Sequence, residues 1–323
     1  MDISLIIPTK NRHNFVKKIV LFYVNTDFTG QILFADSSDK SDFIKNSTLI
    51  GKFKKNLDIV QINTFGKKVA ESILATKIFV KNNYCVQSGD DDFFYTPTLI
   101  KCINFLKMKD DFFSCHGRGY TSIKKTGNLK FGFYGLGSIH DASAKKRIKK
   151  YINNRMCLAW VVMRKSDFFD CWNNPSLFHN NILGSDFLVA TKICIGGKVG
   201  YINLPYMVHH VDETNHSSSK PLSKRIEEQF LHVALHKDLD NSKKLIKSFV
   251  RKHKRSYKED EFTDYFLFLL SNKIENTLFK NLNIISLNFI IISLRFKLLS
   301  LRRKFTGYKD LLFLNEVKKI IGE

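Results

Sequence analysis

Short apolar runs and longer stretches of helical periodicity alternate along the first two thirds of the chain. Ile3 to Ile7 is an apolar run that stops at Pro8, as a strand buried on both faces does. After the polar loop Thr9, Lys10, Asn11 and Arg12, the residues Phe15, Ile19, Phe22 and Tyr23 recur at helical spacing. Gly30 opens a second strand, Ile32 to Ala35, which ends in Asp36, Ser37 and Ser38, and Leu57 to Ile62 makes a third. A helix from Gly66 to about Lys81 leads to a fourth strand at Tyr84, which runs through Gln87, Ser88 and Gly89 into Asp90, Asp91 and Asp92. Strands alternating with helices in this way predict a doubly wound, mostly parallel α/β sheet flanked by helices.

Beyond the acids, Pro97 fits the first turn of a helix whose face carries Leu99, Ile103, Phe105 and Leu106, and Phe112 to His116 reads as a strand. The glycine-rich segment from Arg118 to Ile139, with Lys124, Lys125 and Lys130, reads as a hairpin or a mobile loop over a site. Cys157 to Met163 is strand-like and Arg164 to Cys171 starts a short helix. Leu183, Gly184, Ser185 and Asp186 precede the helical pattern Phe187, Leu188, Ala190, Ile193. Val199 to Leu204 is the last strand, closed by Pro205 and followed by His209 and His210.

The texture changes at Ser217 to Pro221, a hinge that divides an α/β domain, 1–216, from a basic helical extension, 217–323, which has almost no glycine or proline. The uncharged part of Ile284 to Leu301 is shorter than the roughly 20 residues that span a bilayer. As a basic, apolar helix it can lie in an anionic membrane surface or serve as the core helix of a small subdomain.

Charge widens the set of partners. The 52 Lys plus Arg against 30 Asp plus Glu leave +22, which suits nucleic acid, an anionic membrane or phosphorylated substrates. No helix-turn-helix, zinc-finger or RNA-binding signature accompanies it, and an acid triplet opposes phosphate unless a metal is present, so no nucleic acid is expected. A hydrophobic content of 44% over 323 residues excludes a disordered chain. The six cysteines are scattered singly, which points away from zinc and from a disulfide framework and towards a reducing cytosol. Met1 and Asp2 lead straight into a strand without a signal-peptide pattern, so the expected compartment is cytoplasmic.

The chemistry centres on the triplet. Close carboxylates in water repel by about 1 kcal/mol per pair, and more in a half-dry cleft, so a site that gathers them usually holds a cation. Oxygen-rich sites of this kind suit Mg2+ or Mn2+ bridged to a substrate phosphate. The plainer alternative is a solvated turn or an N-cap for the helix near Pro97. Carboxylates at the carboxyl end of a buried strand nonetheless stand where open α/β sheets bind ligands.

The segments SLIIPTKNR, ILFADSSD, YCVQSGDDDFFYTPTLIKCINFL and LGSDFLVATKICIGGKVGYI, in that order, resemble the nucleotide-sugar-dependent glycosyltransferases of the GT-A fold, in particular the large family-two group, over roughly residues 1–215. The resemblance implies that Pro8, Thr9 and Arg12 lie against the nucleotide, and that Asp36 contacts the base or ribose. Ser37 and Ser38 stand where the family often has a glycine and a serine. It implies Lys67 and Lys68 at the diphosphate. The family's Asp-x-Asp metal motif falls on Asp90 and Asp92, or, with the alignment anchored on Leu99, on Asp91 and Asp92. Asp186 takes the place of the catalytic base, with Ser185 where the family has an acid; an N-cap is the other role open to it. His209 or His210 would supply a third metal ligand, and Trp160 and Trp172 either stack on a sugar or belong to the core.

The function these readings imply is metal-dependent transfer of a sugar from a nucleotide-sugar donor to a glycan or lipid-linked acceptor of a bacterial capsule or lipopolysaccharide, at the inner membrane face. A sugar nucleotidyltransferase shares the architecture, but it would carry a glycine-rich loop after the first strand, and IPTKNRHNF has no glycine.

Overall fold

The computed structural model describes residues 1–125, 128–134, 137–154, 158–173, 182–211 and 308–321. Met1–Asp212 with Leu314–Glu323 form one compact unit and Glu213–Phe313 another. The expected extension 217–323, Ile284 to Leu301 included, lies outside the described residues except for its last helix. No helix among the described residues is long and apolar enough to cross a membrane.

The chain opens with β1 (Ile3–Thr9), α1 (His13–Val24), β2 (Gln31–Asp36), α2 (Lys40–Phe53), β3 (Asp58–Asn63), α3 (Val69–Ala75) and β4 (Tyr84–Gln87). These four strands pair in parallel in the order β3-β2-β1-β4. Their carboxyl ends, and the loops that follow them, therefore share one edge. The strands are apolar because both faces are covered: Leu5, Ile6, Ile7, Ile32, Leu33 and Phe34 have no exposed surface, and each such side chain contributes about 1.5–3 kcal/mol on burial.

The remaining elements are β5 (Asp92–Phe94), α4 (Thr96–Met108), β6 (Phe112–Lys125), β7 (Asn128–Tyr134), α5 (Ala144–Asn154), β8 (Val162–Arg164), α6 (Lys165–Trp172), α7 (Ile182–Gly196), β9 (Lys198–Val211) and α8 (Tyr308–Ile321). The sheet continues from β4 through β8, β6 and β9 to β5, with β8 antiparallel to both of its neighbours. The α/β sheet predicted from the alternation is present, and its second half is mixed. Only the four residues 88–91 separate β4 from β5, although the two strands stand far apart in the sheet order. The sheet must curl to bring its far end back beside β4. The acid triplet sits at that junction.

Several elements differ from the sequence reading. Helix α2 was not foreseen: its inner face buries little beyond Asn46 and Ile50, so no apolar periodicity marks it. The glycine-rich segment, by contrast, is a hairpin, β6 with β7, which was one of its two readings. Pro205 does not close β9. It pairs with Arg118 where the β6–β9 register shifts on both sides, a place where a missing N–H is tolerated, and the strand runs on to Val211. That continuation pairs with β5 and carries His209 to the position opposite Asp92.

Two buried cations tie the back of the domain together. Arg147 of α5 is 2% exposed and donates to the carbonyls of Cys194 and Ile195 in the last turn of α7, and of Asp141 and Ala142. It thus neutralises the negative end of that helix. Lys192 donates to the Cys171 carbonyl at 2.8 Å, and burial pulls its ammonium down to about 8. The five described cysteines are buried and unbridged.

Candidate active site

The site is assembled from the loop after β1 and the junction between β4 and β5. Asn11, at φ 53°, donates its N–H to Ser38 Oγ at 2.8 Å and accepts from Asp39 N at 2.9 Å. The left-handed turn, tolerated by asparagine, precedes Arg12, the residue at the N-cap of α1. Arg12 lies with Cζ 3.9 Å from the centroid of the Phe15 ring and spans two acids: it donates to Asp90 Oδ1 at 2.5 Å and to Asp91 Oδ2 at 3.0 Å. Thr9 donates its hydroxyl to the other Asp90 oxygen at 2.7 Å.

Asp90 and Asp91 share Arg12, whereas Asp92 pairs with His209. Asp90 is 3% exposed; burial pushes its carboxyl up to about 7, against the lowering effect of Arg12. Asp92 begins β5, accepts from Gly89 N at 2.8 Å, and places Oδ1 2.6 Å from His209 Nδ1. Burial raises its carboxyl too, and the His209 imidazole opposes the rise. Asp91 accepts from Arg12 with its side chain and from His210 N with its carbonyl. Gly89 leaves room at the turn: a Cβ there would stand 2.7 Å from carboxylate oxygens of both Asp91 and Asp92, which would have to shift. The N-cap alternative does not hold, because Tyr95 is the residue at the start of α4 and no side chain caps that helix.

Ligand atoms of Asp91, Asp92 and His209 all lie within 4.8 Å of one another. Two buried carboxylates with an imidazole form an oxygen-rich, partly nitrogen donor set that could hold a divalent cation. Asp90 and His210 are not brought into this group. Neighbouring residues of a strand face opposite sides, so His210 turns away from His209, and its Nδ1 lies 3.2 Å from Ser122 Oγ. Trp160 is half-buried, its ring centroid 5.1 Å from that of His209, whereas Trp172 is 1% exposed in the core.

Asp36, Pro8, Lys67 and Lys68 stand at the carboxyl edge of β1, β2 and β3. Asp36 has no exposed surface, and its oxygens accept from Ser38 N, Asn46 Nδ2 and Gln61 Nε2 at 2.8–2.9 Å. Pro8 sits opposite Ala35 at the end of β1. Lys67 and Lys68 are exposed after Gly66, whose φ of 76° makes the turn out of β3. Asp186 lies inside α7, past its first turn, so it is no N-cap; the structure describes its backbone and not its side chain. Sequence reasoning did not foresee Asn46 and Gln61 around Asp36, or Phe15 beneath Arg12. Phe15 could have been found, since it stands three residues after Arg12 at the start of a helix.

The raised Asp90 carboxyl has a pH consequence. Between about pH 4 and about pH 7 the folded state keeps a proton that the unfolded chain has lost, so stability from this group falls as pH rises through that window and the loss is complete above it. In buffer with chelator, melting curves of wild type and Asp90→Asn should therefore diverge, the variant gaining relative to wild type from pH 5 to pH 8 by roughly the amount this linkage sets. A gap that does not change with pH would show Asp90 ionised throughout.

No family model matches the chain, and no curated protein matches it. Similar solved structures include S. aureus TarS 1-349 in complex with UDP-GlcNAc, at 13% identity and TM-score 0.48, covering 78% of this chain and 72% of that one. The same protein in complex with UDP gives 13% identity and TM-score 0.47 over 78% and 72%. A further S. aureus TarS structure gives 12% identity and TM-score 0.43 over 81% of this chain and 45% of that one. At these scores and identities the likeness decides nothing about substrate or chemistry, which rest on the site itself.

Proposed function

We propose that the chain is a metal-dependent glycosyltransferase that moves a sugar from a nucleotide-sugar donor to a glycan or lipid-linked glycan acceptor in bacterial surface-polysaccharide synthesis. The observation that carries this reading is the convergence of Asp91, Asp92 and His209 within 4.8 Å, on the edge where the loops after β1, β2 and β3 also end. Asp91, Asp92 and His209 would hold a divalent cation, which would supply positive charge to stabilise a departing nucleoside diphosphate.

The chain's own residues account for the rest of the reading. Pro8 and Thr9 shape the floor under the nucleotide, and Asp36, held rigid by Ser38, Asn46 and Gln61, fixes the loop that meets the base and ribose. Arg12 and the exposed Lys67 and Lys68 offer donors to the phosphates. Asp186 is the base that takes the acceptor hydroxyl proton, which implies direct displacement and inversion at the anomeric carbon. Trp160, with a face near His209, offers a stacking surface for a sugar ring. The domain 1–216 carries this chemistry, and the extension 217–323 holds the enzyme to the anionic inner membrane face.

The experiment is a thermal-shift screen against UDP, GDP, CMP and TDP compounds with and without Mn2+. Stabilisation by one nucleotide that requires the metal is the expected result. No shift with any of them, with or without metal, would overturn the proposal.

A further inference from the structure

We propose that Arg12 competes with the divalent cation for Asp91, so that the site neutralises itself when no ligand is bound and holds metal weakly until a phosphate draws Arg12 away. This rests on the metal reading of Asp91, Asp92 and His209.

The geometry separates two roles among adjacent acids. One planar guanidinium bridges them, with one terminal nitrogen 2.5 Å from Asp90 and the other 3.0 Å from Asp91. Asp90 is committed to that contact: its second oxygen takes the Thr9 hydroxyl, and its side chain is 4% exposed. Asp91 is shared, for its carboxylate also belongs to the group that meets Asp92 and His209. Asp90 is thus the anchor that aims Arg12, and Asp91 is the position over which Arg12 and a metal contend.

Arg12 is built to change partner at its outer end. Its side chain is 27% exposed, and its guanidinium rests on the Phe15 ring, a surface over which it can turn without losing the contact. The loop behind it is pinned by the two hydrogen bonds of Asn11, so movement is confined to the side chain. A metal ion on Asp91 would stand beside the guanidinium, and like charges a few ångströms apart in a half-buried site repel. A diphosphate offers the same guanidinium paired oxygens. Whatever factor the diphosphate adds to metal affinity, the metal must add to diphosphate affinity.

The test measures Mn2+ binding, by the electron paramagnetic resonance signal of free Mn2+, in the full-length wild type, Arg12→Gln, the double variant Arg12→Gln/Asp90→Asn, and Asp92→Asn, without nucleotide. Arg12→Gln is expected to bind Mn2+ about tenfold more tightly than wild type, the double variant likewise, and Asp92→Asn to lose binding. The double variant removes the buried acid that Arg12→Gln leaves without a counter-ion, and so keeps the experiment readable if the single variant unfolds. Equal or weaker Mn2+ binding in both Arg12 variants, with binding in wild type abolished by Asp92→Asn, would overturn the competition and leave the metal site standing. Absence of binding in all four proteins, or binding that Asp92→Asn leaves unchanged, would overturn both.

Discussion

Mn2+ together with the cognate nucleotide should raise the melting temperature of the wild-type protein by about 5–10 °C, and Asp92→Asn should show no such shift. A ligand at a hundred times its Kd stabilises the folded state by about 2.7 kcal/mol, and for a domain of this size each kcal/mol moves the melting point by about 2–4 °C. Asp92 is the residue on which most of the site depends. It is 1% exposed, it is tied to Gly89 N and His209 Nδ1, and it is one of the three converging ligands. Asparagine keeps its shape and removes its charge, so the fold persists while the metal loses a carboxylate. Differential scanning fluorimetry of the two proteins, with and without Mn2+, reads the result. A variant that shifts as far as wild type would place the metal elsewhere.

Arg147→Met should lower the melting temperature by roughly 5–10 °C, with no nucleotide or metal involved. Methionine fills much of the space, but the buried carbonyls of Cys194 and Ile195 lose their donor, and the part-buried carbonyls of Asp141 and Ala142 must turn to water. Leaving the two buried acceptors unsatisfied costs about 1–3 kcal/mol each where no compensation is found, a total of about 3 kcal/mol. The uncapped α7 terminus adds to the loss. Thermal denaturation followed by circular dichroism checks this, and an unchanged melting point would mean that solvent reaches those carbonyls.

The first four strands were legible in the sequence because β1, β2 and β4 are buried on both faces and so appear as apolar runs bounded by Pro8, Asp36 and the acid triplet. β5 was not, since three residues, two of them Phe93 and Phe94, are too short to show a period. Pro205 misled because a strand that changes partner at a register shift can carry a proline that an ordinary strand cannot. At the site, the presence of a cluster of acids was legible but the division of labour among them was not. It depends on partners 78 residues before Asp90 and 117 residues after Asp92, and on the room that Gly89 leaves for the carboxylates of Asp91 and Asp92. Choosing between His209 and His210 required the pairing of β9 with β5, which no local pattern carries.

The central claim is that Asp91, Asp92 and His209 together hold a divalent cation. The measurement that tests it most directly is anomalous X-ray scattering, at the manganese edge, from crystals of the wild-type protein grown with Mn2+ and the nucleotide that stabilises it. The account predicts a single strong peak among those three side chains, with Asp90 still on Thr9 and outside the coordination sphere. A peak that includes Asp90 or His210 in place of His209, or no peak beside the triplet, would contradict it.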